Sequence, residues 1–171
     1  AIEELRQLRG EVLQEDLPPP LPAHLSEKTD ANLLLFRKKN HDTNLKIMIL
    51  DEDIEMQSLV SFALKGEDDV TVLCERSPLN ALESLVRAKP DVIMVDVMMK
   101  EMSCFDFIHD LHKLDPQHTI DLIIGSCSPD RREKHAAFEM GAVDYITRPY
   151  DLSEVRFKVR LRLASKRKLC G

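Results

Sequence analysis

The sequence predicts an α/β fold in which a parallel β-sheet is covered by helices on both faces. From residue 45 onward, short apolar runs alternate with amphipathic stretches of roughly 10–15 residues. A parallel strand is buried on both faces, so it is apolar almost throughout, and a crossover helix separates it from the next strand. Polar residues follow four of the apolar runs, and the carboxyl ends of strands in such sheets carry function.

The predicted elements follow one another as a repeat. The apolar runs that predict strands are LKIMIL (45–50), VTVLC (70–74), DVIMVD (91–96), TIDLIIGS (119–126) and DYIT (144–147). The intervening stretches predict helices whose inner faces carry Ile54, Leu59, Val60 and Leu64 in the first, Leu79, Leu82, Leu85 and Val86 in the second, and Phe105, Ile108 and Leu111 in the third. A fourth helix is predicted over Arg131–Met140 and a last helix from 151 to about 165.

The last segment is ambiguous by periodicity. VRFKVRLRL (155–163) alternates apolar and cationic residues, which by itself is typical of a strand. A helix would place Leu152, Val155, Val159 and Leu163 on one stripe and leave Phe157 and Leu161 on another face. We expect a helix, because the preceding strand and Pro149 complete the repeat.

Residues 1–44 follow a different pattern. Apolar residues at helical spacing predict a short amphipathic helix over residues 1–17, and DLPPPLP (16–22) ends it because proline has no amide hydrogen. The proline-rich stretch is a semi-rigid linker, and Ser26 to about Asn40 predicts a second short helix. The sequence therefore predicts an N-terminal helical extension before the α/β region.

Composition excludes several classes of protein. The 171 residues are 43% apolar and 32% charged, which is typical of a soluble globular chain, and no apolar run reaches membrane-helix length. The four cysteines form no CxxC pair, so we expect buried thiols in a reducing cytoplasm. No GxGxxG or GxxxxGK[ST] motif occurs. Residues 45–150 are acidic, with eleven Lys and Arg against twenty Asp and Glu, which suits a protein that holds a cation or docks a basic partner.

Acidic residues follow two strands that we expect to be neighbours. Asp51, Glu52 and Asp96 would repel one another unless a cation lay between them, and oxygen ligands of this kind favour Mg²⁺. Ser126 adds a hydroxyl and Arg148 a positive charge, which together suit phosphoryl transfer to an aspartate. Each acid taken alone is better explained as a cap of the following helix, but that does not explain all of them in this order.

Four motifs in register resemble the receiver domain of two-component response regulators, from about Lys46 to Leu163. ILDED matches the acidic pair of the family, PDVIMVDVMM the phosphoacceptor strand, IIGS the Ser/Thr position, and GAVDYITRP the switch aromatic and basic positions. The resemblance implies a flavodoxin-like (βα)5 doubly wound parallel sheet with strand order 2-1-3-4-5.

The resemblance also implies residue roles. Asp96 would accept a phosphoryl group from a sensor histidine kinase or phosphotransfer protein, and Ser126 and Arg148 would contact that group. Mg²⁺ would be held by Asp51, Glu52, Asp96 and the Met98 backbone carbonyl, and Tyr145, like Ser126, would act as a switch residue. The domain would catalyse only its own phosphorylation and would not otherwise be an enzyme.

Domain organisation and partners follow from the same resemblance. We expect an extension over 1–44, a receiver domain over 45–165, and over 166–171 the start of a linker to an output domain, either a diguanylate cyclase or a DNA-binding effector. A homodimer would form through the fourth helix, the fifth strand and the last helix. We expect no membrane contact and a cytoplasmic location.

The sequence departs from the family at two places, which keeps other functions open. Arg148 stands where the family has Lys, and the loop KEMSCF (100–105) lacks the proline and Asp-Gly of the family. One alternative is therefore a pseudo-receiver that acts as a phosphorylation-independent binding or dimerisation module. Another is a Mg²⁺-dependent phosphatase with Asp96 as nucleophile, which ranks last because no second general acid is evident.

Overall fold

A computed structural model describes residues 44–67, 70–128 and 130–169, with the side chains of 167–169 excepted. A parallel sheet of five strands runs in the order β2-β1-β3-β4-β5, as predicted. The strands are β1 (Leu45–Leu50), β2 (Val70–Glu75), β3 (Val92–Asp96), β4 (Asp121–Ser126) and β5 (Ala142–Thr147). The predicted helices over 1–17 and 26–40 and the proline-rich linker lie outside the described residues.

Helices connect the strands in a strict alternation. They are α1 (Ile54–Ala63), α2 (Pro78–Ala88), α3 (Cys104–Leu114), α4 (Arg131–Glu139) and α5 (Leu152–Leu169). Four of them begin at a side-chain cap that accepts from backbone N–H groups of the first turn, namely Asp53, Ser77, Ser103 and Asp130. Asp151 does the same for α5, because its Oδ1 accepts from the N–H groups of Ser153 and Glu154.

The sheet separates two layers of core. Alternate residues of β1 point to opposite faces, so Met48 and Leu50 pack with α2, α3 and α4, whereas Ile47 and Ile49 pack with α1 and α5. All four side chains are at most 2% exposed. The fold is therefore doubly wound. Because the strands are parallel, their carboxyl ends all lie at the same end of the sheet.

Four residues predicted on inner helix faces are instead exposed. Ile54, Leu59, Leu79 and Phe105 expose between 39% and 55% of their surface, so that part of the prediction was wrong. In α1 a polar residue takes an inner position, because the Gln57 side-chain amide donates to the carbonyls of Asp51 and Glu75. In α3 the buried stripe starts at Cys104 and continues through Phe107, Ile108 and Leu111, one residue away from Phe105.

The ambiguous last segment is a helix, as predicted. Val155 and Val159 are fully buried, whereas Phe157 and Leu161 expose 67% and 52% of their surface. Helix α5 extends to Leu169, beyond the predicted end near residue 165. None of the described helices is long and apolar enough to cross a membrane.

Candidate functional site

The carboxyl ends of β1, β3 and β5 bring two aspartates and one arginine together. Asp51 directly follows β1, Asp96 ends β3, and the strands pair side by side. The Arg148 guanidinium Nη2 donates to Asp51 Oδ2 and lies 3.3 Å from Asp96 Oδ2. Asp51 and Asp96 are 3% and 4% exposed. The predicted convergence of these three residues is therefore present, with the guanidinium between the two carboxyl groups.

Burial dominates the electrostatics of this acid pair. Loss of hydration raises the pKa of Asp51 to about 6, and the opposing effects of the Asp53 backbone N–H and of Arg148 do not cancel it. The pKa of Asp96 is also raised, again mainly by burial, with the charge of Glu52 adding to the increase and Arg148 opposing it. Both side chains therefore favour a neighbouring positive charge.

Glu52, the third predicted metal ligand, is engaged elsewhere. Its Oε1 accepts from the backbone N–H of Lys100 at 2.5 Å, and its Oε2 lies 3.9 Å from Lys100 Nζ. Lys100 belongs to the loop between β3 and α3 that departs from the family pattern. Met98, whose carbonyl was the other predicted ligand, is in the same loop and is 66% exposed.

The two residues predicted to act as a switch, Ser126 and Tyr145, form a second group beside the acid pair. Tyr145 is only 4% exposed, so its ring points inward, and its hydroxyl donates to the Ser128 carbonyl at 2.9 Å and to Glu133 Oε1 at 3.1 Å. Ser126 is 2% exposed, and its hydroxyl donates to the same Glu133 oxygen at 2.6 Å. Ser126 is therefore hydrogen-bonded to helix α4 and not to Asp96.

The phenol of Tyr150 packs behind Arg148. The guanidinium carbon lies 5.0 Å from the centre of the Tyr150 ring, within the range of a cation–π contact. Burial raises the pKa of Tyr150 to about 12, so its hydroxyl stays protonated. That hydroxyl lies against Gly125, so a side chain at position 125 would collide with it. Tyr150 thereby restricts the position of the guanidinium.

Part of this donor set fits a hard cation such as Mg²⁺. Asp96 Oδ1 is buried and has no hydrogen-bond partner among the described residues. Burial disfavours the charged form of both Asp51 and Asp96. Carboxylate oxygens of this kind are the ligands that Mg²⁺ prefers. Within the described ranges, however, no group of three or more Asp, Glu, His or Cys side chains is arranged to hold a metal ion, because Glu52 faces Lys100.

Two residues of the site were not identified from the sequence. Glu133 lies in the first turn of α4, where an acid is ordinarily explained by the helix dipole. Tyr150 follows Arg148 and Pro149, and only this proximity to a site residue could have indicated its role. No periodic pattern marks either residue, because each acts through contacts with other elements.

Known proteins with similar sequences include a transcriptional regulatory protein and methylesterases. A 28% identical relative is a probable transcriptional regulatory protein, TcrX, of Mycobacterium tuberculosis, matched over 68% of this chain and 49% of that protein. A protein-glutamate methylesterase/protein-glutamine glutaminase of Paraburkholderia xenovorans is 32% identical over 61% of this chain and 29% of its own length. The chain thus spans half or less of these two relatives.

Solved structures and a family model agree on the region. A response regulator from Thermotoga maritima is 26% identical, with a TM-score of 0.63, over 71% of this chain and 98% of that one. The receiver domain of a BeF3-activated protein, DrrB, shares the fold at 22% identity and a TM-score of 0.60, over 70% of this chain and 97% of that one. The model of the response regulator receiver domain matches residues 47–160. With the sheet order and the acid pair described above, this match shows that the chain belongs to the family of response regulator receiver domains.

Proposed function

We propose that this receiver domain accepts a phosphoryl group on Asp96. The observation that carries the proposal is the arrangement of Asp96 at the end of β3. One of its carboxyl oxygens lies 3.3 Å from the Arg148 guanidinium, and the other has no hydrogen-bond partner in the part of the chain that the structure describes. Within the same described ranges, the Nε of Arg148 is also buried without a partner. The two charged groups are in contact and each keeps one unpartnered atom, which suits a carboxylate that attacks phosphorus beside a cation that binds phosphoryl oxygens.

In the proposed transfer, the partner protein supplies both the phosphoryl group and the leaving group. A carboxylate oxygen of Asp96 attacks the phosphorus of a phosphohistidine, the new P–O bond forms as the P–N bond breaks, and the leaving imidazole nitrogen takes the electron pair and then a proton. Asp96 must be ionised to attack, and the positive charge of Arg148 favours that form against the effect of burial. Arg148 is held for this role between Asp51 and Tyr150.

Mg²⁺ is the cofactor that we propose for the same reaction. Asp51 and Asp96 would hold it, with Glu52 and the Met98 carbonyl as further ligands expected from the family. When bound, the ion neutralises charge that develops on the transferring phosphoryl oxygens. In the structure, Arg148 supplies the positive charge between the two aspartates.

Incubation with Mg²⁺ and acetyl phosphate, followed by intact-mass measurement, tests the assignment. We expect one added phosphoryl group on the wild-type chain and none on Asp96→Asn. The Asp110→Asn variant is the matched control, because Asp110 is a half-buried acid that pairs with Lys113 within α3 and does not belong to the acid pair. Modification of Asp96→Asn to the wild-type extent would refute Asp96 as acceptor.

The pseudo-receiver alternative predicts a different result. Neither the fold nor the similar proteins favour it over phosphorylation, since both carboxyl groups and Ser126 are at the site. It would gain support if the wild-type chain stayed unmodified in this experiment while it still bound a partner. Phosphatase activity, the remaining alternative, would appear as repeated turnover of a phosphomonoester.

We further propose a sensor histidine kinase or phosphotransfer protein as the donor and a separate output domain as the effector. The two relatives named above are a transcriptional regulatory protein and a methylesterase, which supports a DNA-binding or methylesterase output. Neither of them is a diguanylate cyclase, which was the other output expected from the sequence. A cytoplasmic location is consistent with this function and is likewise a proposal.

We propose that the phosphorylated domain forms a homodimer through α4, β5 and α5, and that this dimer transmits the signal. Phe157 and Leu161 are exposed on α5 and would lie in that surface. Gel filtration with and without beryllofluoride, a phosphoryl mimic, tests the proposal, and we expect the mimic to increase the dimer fraction. A monomer that does not respond to the mimic, while Asp96 is phosphorylated normally, would refute the dimer and leave the phosphorylation intact.

A further inference from the structure

We propose that Glu133 is a positioning residue which holds the Ser126 hydroxyl and the Tyr145 ring inward in the unphosphorylated chain. The same carboxylate then competes with a phosphoryl group on Asp96 for the single proton of the Ser126 hydroxyl. The first part is a statement about this chain alone, whereas the competition rests on the proposed function.

The hydrogen bonds of Ser126 carry the first step. The Ser126 oxygen accepts from the backbone N–H of Ser128 at 3.0 Å, and its only proton is donated to Glu133 Oε1 at 2.6 Å. With 2% of its surface exposed, Ser126 has little contact with water that could replace this acceptor. A phosphoryl oxygen on Asp96 would therefore have to compete with Glu133 for this proton.

Tyr145 is fixed by the same carboxylate. Its hydroxyl donates to the Glu133 oxygen at 3.1 Å as well as to the Ser128 carbonyl at 2.9 Å. The Lys134 ammonium lies 5.2 Å from the centre of the ring. Contacts with helix α4 and with Ser128, which precedes it, therefore hold Tyr145 in its inward position.

The protonation state of Glu133 is consistent with its role as acceptor. Burial alone would raise its pKa, but the hydrogen bonds from Ser126, Ser128 and Tyr145 outweigh that effect, so the pKa lies below its usual value. Glu133 is thus an ionised carboxylate at neutral pH. Hydrogen bonds to an ionised acceptor are about twice as strong as neutral ones.

The surroundings leave room for Tyr145 to move if Glu133 is removed. Ser126, Glu133 and Tyr145 line a largely apolar cavity of about 500 Å³ between α3 and α4. Phe105 and Met140 line the same cavity, and Phe105 is 51% exposed, so the cavity reaches the surface. A released Tyr145 ring could therefore turn outward without disrupting the core.

A simpler explanation is that Glu133 only stabilises the N-terminus of α4 by its charge. The two explanations differ for Glu133→Gln, which loses the charge but keeps an acceptor oxygen at the same place. If only the charge mattered, Glu133→Gln and Glu133→Ala would be equivalent. If the acceptor matters, Glu133→Gln retains the inward Tyr145 and Glu133→Ala does not.

Fluorine NMR of the unphosphorylated full chain tests the positioning role. The chain contains only two tyrosines and no tryptophan, so 3-fluorotyrosine gives two resonances that Tyr145→Phe and Tyr150→Phe assign. The solvent isotope shift between H₂O and D₂O reports the exposure of each ring. We expect Glu133→Ala to increase this shift at Tyr145 severalfold, and Glu133→Gln to stay close to the wild type.

The matched control is Glu139→Ala, an exposed acid at the end of the same helix that pairs with His135 at 3.3 Å. It should leave the Tyr145 resonance unchanged. A Tyr145 resonance that is equally unaffected by Glu133→Ala would overturn the positioning role. So would an equal change in Glu133→Ala and Glu133→Gln, since that result would assign the effect to charge alone.

Phosphorylation of the same variants tests the competition. At a fixed concentration of acetyl phosphate, we expect Glu133→Ala to raise the phosphorylated fraction or its lifetime by roughly threefold to tenfold, since the Ser126 proton becomes available. A decrease or no change would refute the competition. A wild-type chain that is not phosphorylated at all would refute the proposed function, yet the fluorine experiment would still decide the positioning role.

Discussion

At the residue scale, the site contains buried charged and polar groups that destabilise the folded chain but suit the proposed phosphoryl transfer. Asp51 and Asp96 are almost completely buried, and Arg148 compensates them only in part, because the pKa of each aspartate remains raised. A buried acid whose charged form is disfavoured destabilises the folded chain at neutral pH. The same property makes the pair receptive to a cation and a phosphoryl group.

Replacement of Asp51 by Asn should stabilise the chain, and increasingly so with rising pH. The pKa of Asp51 is raised from 3.8 to about 6, so the folded chain binds more protons than the unfolded chain in that window. The Asp51 contribution to stability is therefore lost as the pH rises from about 4 to 6. Urea denaturation followed by circular dichroism should show the advantage of Asp51→Asn growing by about 1–3 kcal/mol between pH 4 and pH 7.

Asp110→Asn serves as the control for the loss of an acid outside the site, because Asp110 pairs with Lys113, whose side chain is 49% exposed. The pH-dependent gain of Asp51→Asn should exceed any change with pH in the difference between Asp110→Asn and the wild type. An advantage of Asp51→Asn that shrinks with pH would show that Arg148 overcompensates the buried charge.

The contact between Gly125 and Tyr150 makes a second prediction at this scale. An added Cβ at Gly125 would collide with the Tyr150 hydroxyl and would lie 3.1 Å from the ring carbon that bears it. We expect Gly125→Ala to destabilise the chain by about 1–3 kcal/mol, as other overpacked cores do. In a Tyr150→Phe background most of this loss should disappear, because the colliding oxygen is gone.

Thermal and urea denaturation of the four chains in this double-mutant cycle measure the coupling. A coupling near zero would mean that Tyr150 moves away from β4 at no cost. The phosphorylation rate of Tyr150→Phe is an additional measurement, since the ring would still stack on Arg148 without its hydroxyl.

At the element scale, helix α5 is attached to the sheet by cations as well as by its apolar stripe. Lys158, Arg162 and Lys166 follow one another at four-residue spacing and so lie on one side of the helix. Lys158 donates to the Tyr145 carbonyl at 2.7 Å, Arg162 to the Val143 carbonyl at 3.0 Å, and Lys166 to the Thr119 carbonyl at 2.6 Å. These cations therefore bind backbone carbonyls of β5 and of the segment just before β4, although the sequence pattern alone is equally typical of a strand.

Asp144 is the acid on β5 that joins this row of cations. Its carboxylate oxygens lie 3.0 Å from Lys158 Nζ and 3.5 Å from Arg162 Nη2. Burial alone would lower the pKa of Lys158, but Glu154 and Asp144 outweigh it and raise the pKa, which indicates a net attraction. We expect Asp144→Asn to lower the free energy of unfolding by about 1–2 kcal/mol, between the values for exposed and buried ion pairs.

Urea denaturation of Asp144→Asn beside Asp110→Asn measures this contribution. Asp110 also pairs with a lysine, but that lysine is 49% exposed, so its loss should cost less than that of Asp144. Equal effects of the two substitutions would mean that the row of cations contributes no more than a surface ion pair.

At the scale of the whole molecule, the two core layers lie within the receiver region. The buried apolar side chains of the described ranges extend from Leu45 to Leu163 and include strands from both ends of the repeat. Both faces of the sheet are thus covered by helices α1 to α5. We expect a chain that starts at Asn44 to fold cooperatively with a free energy of unfolding within about 1 kcal/mol of that of the full chain.

Urea denaturation of the shortened chain and of the full chain measures this. The comparison includes the slope, which is the dependence of the free energy of unfolding on urea concentration. A lower slope or a broad transition in the shortened chain would mean that residues 1–43 complete the core. The outcome tests the predicted domain boundary near residue 44.

The amino-acid sequence by itself determined the strands, the alternation with helices and the edge of the sheet at which the site lies. These features follow from local periodicity, since each strand and helix shows its pattern within a short window. The exposed positions of Ile54 and Phe105 show the limit of such patterns, because capping and contacts such as those of Gln57 decide the rotation of a helix.

Only the tertiary structure decided which polar side chains meet. Asp51 and Arg148 are 97 residues apart in the chain. Their contact depends on the spatial order of the strands in the sheet, β1-β3-β4-β5. Glu52 pairs with Lys100, and Glu133 holds Ser126, because loops and helix positions bring them together. A residue type and its spacing indicate which chemistry is possible, whereas distance and burial select the partner that each group has.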